Sequence, residues 1–158
     1  MKLISDAFNL SSLFKPYVGV AAGVSGALGV YINKVYGLGN SWWILILVSV
    51  IILDWITAIA AAQKDKTYAS QYGINGLLRT VFILALPAVA NLFDIAFETR
   101  GFIFLALTGG LVYHTWQSMT ANAFRAGWEK WIPKKVLEHV GSEIEAKTQR
   151  SNNRKSIK

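Results

Sequence analysis

Asp54 and Thr57 stand three residues apart inside a stretch, residues 42–62, that holds no other charged side chain. An ionised carboxylate in the middle of such a stretch, if it crosses a bilayer, costs about 2.5–3.5 kcal/mol even on the lenient insertion scale. Such a group faces protein or water, pairs with a cation, or keeps its proton through a raised pKa. Thr57 lies on a similar helical face and can share a hydrogen bond with it. No partner cation is evident within the apolar stretches. The expected solutions are therefore a protonated Asp54 in a helix interface or an ionised one lining water, and both imply function. His114 and Gln117 form a second pair of intramembrane polar groups, and Asn91 and Asp94 lie near the edge of another apolar run.

The rest of the chemical inventory is thin. His114 and His139 are the two histidines, and there is no cysteine. No His-x-x-x-His pair, Gly-rich phosphate loop or Gly-x-Ser-x-Gly elbow occurs. Gly73 and Gly76 are expected to turn the chain rather than to hold a phosphate. No cofactor, metal site or enzymatic activity is expected.

The elements that must position these groups are apolar. Hydrophobic residues make up 53% of the 158, charged residues 16%, and mean hydropathy is +0.37. Four apolar segments can be marked, about 17–32, 42–62, 80–97 and 101–119. Between Gly101 and Ala123 there is no Asp, Glu, Lys or Arg. A bilayer core of about 30 Å asks for runs of that kind, and backbone groups in lipid must be satisfied within the segment. The expected fold class is an all-α integral membrane protein of three or four transmembrane helices. Four, with both termini in the cytoplasm, is favoured, because it leaves only Lys34 and Arg100 of the basic residues outside. With three, the first segment does not span and the N-terminus changes side. Trp42 and Trp43 mark one membrane edge, and Trp116, Trp128 and Trp131 another. The organisation expected is an amphipathic N-terminal arm (1–16), a transmembrane domain (17–123) and a basic cytoplasmic tail (124–158).

Small residues suggest how helices meet. The pairs Gly19/Gly23, Ala22/Gly26 and Ser25/Gly29 share the small-x-x-x-small spacing, as do Ala106/Gly110. That spacing lets two backbones approach closely where lipid removes the hydrophobic drive. In the fourth segment Gly110, His114, Gln117, Ser118, Ala121, Asn122 and Arg125 fall along one polar face. Self-association into a homo-oligomer is expected over packing within a lone bundle. In the tail, Val136, Leu137, Val140 and Ile144 fall at helical spacing. The final stretch, with Arg150, Arg154, Lys155 and Lys158 and no acid, is expected to be disordered and to touch anionic lipid headgroups. The same inside-positive bias accounts for the tail without nucleic acid as a partner.

"LDWITAIAAAQKDKTYASQYGINGLLRT" resembles the Asp-x-Ile-Thr-Gly segment, Lys-containing loop, Ser and Gly-Leu-x-Lys run of the toxin-secretion and phage-lysis holins. The matching positions are Asp54, Ile56, Thr57, Ser70, Gly76, Leu77 and Arg79. Downstream, "TANAFRAG" resembles that family's Glu-Asn-x-x-x-x-Gly element at Asn122 and Gly127, with Pro133 shortly after. The likeness covers about residues 45–138. Ala58 stands where Gly is frequent, Arg79 replaces Lys, Ala121 replaces Glu, and two extra residues precede the proline. The resemblance implies a phage-encoded, multi-pass protein of the bacterial inner membrane. It implies oligomerisation into lesions that release an endolysin, or in some cases a toxin. Two competitors are a small oligomeric ion or proton channel using Asp54 and His114, and a membrane anchor that recruits a soluble partner.

Overall fold

The structure, a computed structural model, describes residues 16–66 and 71–156, and among them every regular element is helical. The expected N-terminal arm lies outside the described residues, as do Ser70 and Lys158. The chain divides into two compact units, Met1–Ser41 and Trp42–Lys158.

The first unit carries helix α1, Pro16–Tyr36. Proline at a first helical position gives up no intrahelical bond, because that amide has no acceptor there. The helix closes at Gly37, whose φ of 90° is open to glycine and whose amide bonds the Asn33 carbonyl. Helix α1 is longer than the 17–32 segment read from hydropathy.

The second unit is built on three long helices, α2 (Ser41–Lys64), α3 (Gln71–Phe97) and α4 (Phe102–Ala126). Helix α3 begins nine residues before the expected third segment at Thr80. Gly73 and Gly76 are therefore helical, not a turn. Glycine in a helix costs about 1 kcal/mol against alanine, and the apolar run that follows outweighs it. One apolar cluster in this unit is Leu47, Ile51 and Ile83, packed against Trp55, Leu84, Leu111 and Val112.

Most of the apolar surface of α2 and α3 faces outward. The 18-residue apolar windows of Ser41–Lys64 and Gly76–Phe97 are only 33% and 22% buried. The core helix of a soluble domain would be mostly buried, so these two helices are long enough, apolar enough and exposed enough to lie in lipid. Ile52, Ile56 and Ile59 on α2, and Leu77, Leu78, Val81 and Phe82 on α3, belong to this outer face.

Helix α4 ends in a glycine cap. Gly127 adopts φ 88°, its amide bonds the Phe124 carbonyl, and the Trp128 amide reaches back to Ala123. A short 3₁₀ turn (Glu129–Trp131) leads to Pro133, which opens α5 (Lys134–His139), and α6 follows (Gly141–Ser156). The expectation of a disordered end is thus corrected: residues 148–156 are helical. Composition alone gives α6 little reason to fold, since isolated helices of about 15 residues are marginal in water. Tertiary contacts supply the reason. Val140 is fully buried at the joint with α5, and α6 packs along α4.

Candidate functional site

Asp54 sits on the inner face of α2 with its side chain 1% exposed. Its carboxylate accepts from three side chains on two other helices. Arg79 Nη2, from α3, donates to Oδ2 at 2.6 Å. Ser118 Oγ and Asn122 Nδ2, one turn apart on α4, donate to Oδ1 at 2.8 and 2.9 Å. The i, i+4 spacing puts both donors on one helix face, which is why the pair can close on a single oxygen.

The arginine corrects the sequence reading. No cation was expected within reach of Asp54, because Arg79 was placed in a loop ahead of the third segment. Since α3 starts at Gln71, Arg79 lies two turns inside a helix and level with Asp54. Its own side chain is 53% exposed. The pair is therefore asymmetric, a dry acid held by a half-wet base. Charge-assisted bonds of this kind are the stronger ones.

The network continues toward the loop end of the bundle. Arg125 Nη1 lies 3.4 Å from the Asn122 side-chain oxygen, while its Nη2 donates to Asp65 at 2.7 Å. Ser151, on α6, donates to the same Asp65 oxygen at 2.7 Å. Lys147, also on α6, donates to the Ser118 carbonyl at 2.9 Å and to its hydroxyl at 2.6 Å. The hydroxyl of Ser118 thus receives from Lys147 and gives to Asp54. Removal from water pushes the Lys147 amine down to about 8; Arg79 and Arg125 act in the same direction, and Asp54 and Glu143 oppose them.

Other expected site residues lie elsewhere. Thr57 is buried, but its hydroxyl bonds the carbonyls of Leu53 and Asp54 at 2.9 and 3.0 Å, not the carboxylate. His114 is exposed. Gln117 donates to the Tyr113 hydroxyl at 3.1 Å, which also meets His139 Nε2 at 2.6 Å. The expected polar face of α4 therefore splits: Ser118, Ala121 and Asn122 are buried in the junction, while Gly110 and His114 stay outside it. In α1, a Cβ on Gly23, Gly26 or Gly29 meets nothing within 4 Å, and the same holds for Gly110 in α4, where Ala106 is exposed. Gly19, at the start of the same stripe, lies in α1. Arg150 and Arg154 are exposed on α6, which also carries Lys155. Among the described residues, no group of His, Cys, Asp and Glu could hold a metal ion.

Lys147, Asp65 and Ser151 were not singled out from sequence, and no local signal could have found them. Ser118 and Asn122 had one, an i, i+4 polar pair in a charge-free helix.

The segments that carried the resemblance converge here. Asp54 and Arg79 form the ion pair, and Asn122 completes the carboxylate's shell. Gly127 is required by its φ of 88°; an added Cβ would also lie 2.8 Å from Lys64 Nζ, the end of a flexible side chain that can move aside. Gly76 accepts the Thr80 hydroxyl at 3.0 Å, and Thr80 in turn receives Trp55 Nε1 at 3.1 Å. Ile56 and Leu77 belong to the outward apolar face, and Pro133 opens α5. The sequence profile of the bacteriophage holin family matches residues 31–142, a stretch that contains Asp54, Arg79, Asn122 and Gly127.

The chain belongs to the bacteriophage holin family.

It is thus a membrane protein of a pore-forming, non-enzymatic family. It is also similar to an uncharacterized protein of Halalkalibacterium halodurans, 28% identical over 123 residues, which cover 73% of this chain and 87% of the relative. No solved structure matches this holin-family chain.

Proposed function

We propose that this chain is a phage holin that oligomerises in the bacterial inner membrane and opens lesions through which an endolysin, or a toxin, leaves the cytoplasm. The observation that carries this reading is the convergence of separate family segments on Asp54. They build a packing junction that fastens three long helices together. The switch role of Asp54 takes a definite form in this geometry. Paired with Arg79, it locks the helices; unpaired, it becomes a polar group that needs water or a neighbouring copy.

Four spans with both termini inside also fit the helix lengths. At 1.5 Å per residue, α1 to α4 are each about 31 Å or longer. Helix α4 is less apolar than α2 and α3, yet Ser118 and Asn122 spend their polarity on Asp54 and do not face lipid. Basic residues bias the α2–α3 loop and everything after Arg125 to the cytoplasm, where Arg150, Arg154, Lys155 and Lys158 can meet anionic headgroups.

The test is expression of this chain with a cytoplasmic muralytic enzyme that has no export signal, following turbidity and a membrane-potential dye. Abrupt depolarisation followed by lysis that needs both proteins is expected. Depolarisation without enzyme release would point to a small channel, and no change in either would point to an anchor. Asp54→Asn is expected to shift the onset of depolarisation at equal membrane level; an unchanged onset would remove Asp54 from the switch.

A further inference from the structure

Helix α6 reaches the junction with a charge that the junction does not match. Among the described residues the salt bridges are Arg79–Asp54 and Arg125–Asp65, so each carboxylate already has its own arginine. Lys147 is a third cation at the same place, and its bonds go to the neutral oxygens of Ser118. The charged groups around it are Asp54 on α2, Arg79 on α3, Arg125 on α4 and Glu143 one turn earlier on α6. Burial and two arginines work against its charge; two hydrogen bonds, Ser151 on Asp65 and the burial of Val140 work for docking. Local opening is drawn from contacts held by few buried apolar groups. What α6 covers matters, because Ser118 is one of the two residues through which α4 holds Asp54.

We propose that α6 is an autoinhibitory latch. Docked through Lys147 on Ser118, it occupies the polar face of α4 and keeps the Asp54 junction closed; its release presents that face to a second copy of this chain. A face carrying Ser118, Asn122 and a carboxylate partner is a poor neighbour for lipid hydrocarbon, whereas an identical helix offers matching donors and acceptors. The inference rests on the holin reading and adds its restraint.

The chain has no native cysteine among its residues, so one introduced thiol reports cleanly. Val140→Cys, fully buried when α6 is docked, is labelled by a thiol reagent in the proposed cytoplasmic face of inverted membrane vesicles. Onset of depolarisation is followed in cells carrying the same chain. Lys147→Met in this background is expected to raise the labelling rate roughly fivefold, as loss of buried hydrogen bonds does, and to bring the onset forward at equal membrane level. Ser151→Ala removes the other tether without touching charge and is expected to move both readouts less, in the same direction. It carries the test if Lys147→Met fails to accumulate. Faster labelling with an unchanged or later onset overturns the latch while leaving a lytic parent chain as a holin. Unchanged labelling in both variants overturns it as well. A parent chain that never depolarises the membrane removes the holin reading and the latch together.

Discussion

Two buried carboxylates, Asp54 and Asp94, are handled by opposite means. Asp94, near the end of α3, bonds the backbone amides of Ile103 and Phe104 at 2.9 and 2.7 Å and the hydroxyl of Thr99. All its partners lie within ten residues. It serves the first turn of α4, whose amides have no acceptors inside their own helix. Asp54 instead draws on Arg79, Ser118 and Asn122, between 25 and 68 residues away. One acid finishes a hairpin; the other fastens a bundle. The contrast teaches that a polar group in an apolar helix has no single meaning. Its partners' distance along the chain decides whether it shapes a turn or couples helices.

The comparison can be broken most severely at Arg79. Removing it leaves a 1% exposed carboxylate with two neutral donors, whereas Arg79 itself has access to water. Arg79→Met is therefore expected to destabilise the detergent-solubilised protein by about 2–3 kcal/mol. Hydrogen exchange should rise across α2, α3 and α4 together. Loss confined to the first turns of α3 would show that the pair is ornamental. Asp94→Ala should cost about 1–2 kcal/mol, with faster exchange limited to the start of α4. Exchange that spread to the Asp54 side would erase the distinction between the two acids.

A smaller effect is expected at Gly127. Gly127→Ala meets a left-handed backbone and, less severely, the movable Lys64 amine, and should cost about 1 kcal/mol. Combining it with Lys64→Ala should restore only the part due to contact, since the backbone strain stays. Full recovery in thermal unfolding would assign the glycine to packing alone.

The smallest and most specific effect concerns pH. The amine of Lys147 falls from an ordinary 10.5 to about 8 when α6 is docked. The released state therefore binds more protons between these values, and docking must strengthen as pH rises through that window. Below about pH 8 the favourable contribution is lost. Exchange protection of α6, after division by the intrinsic base-catalysed rate, should increase from pH 8 to 10, and Lys147→Met should flatten the curve. A wild-type profile that is already flat would mean that the amine is solvated.

Much of this was legible beforehand, for reasons that differ by residue. Long apolar runs marked α2 and α3, because lipid tolerates little else. Asp54 stood out by the cost of its position, and Asn122 and Gly127 by their resemblance to a family element. Arg79 was misread, since glycines at 73 and 76 looked like a turn and concealed the helix beneath them. The last residues were misread in turn: a polar basic sequence has no intrinsic signal for a helix that exists through docking.

By itself the sequence determined that the protein is helical, that it belongs in a membrane, and that an acid would be held where acids are expensive. Those properties follow from composition and period, which are local and additive along the chain. Only the tertiary structure decided who holds the acid. Arg79, Ser118, Asn122 and, through Ser118, Lys147 meet because three helices start and stop where they do. A shift of one or two residues in any of those boundaries would turn the same side chains toward lipid, at 100° of rotation per residue.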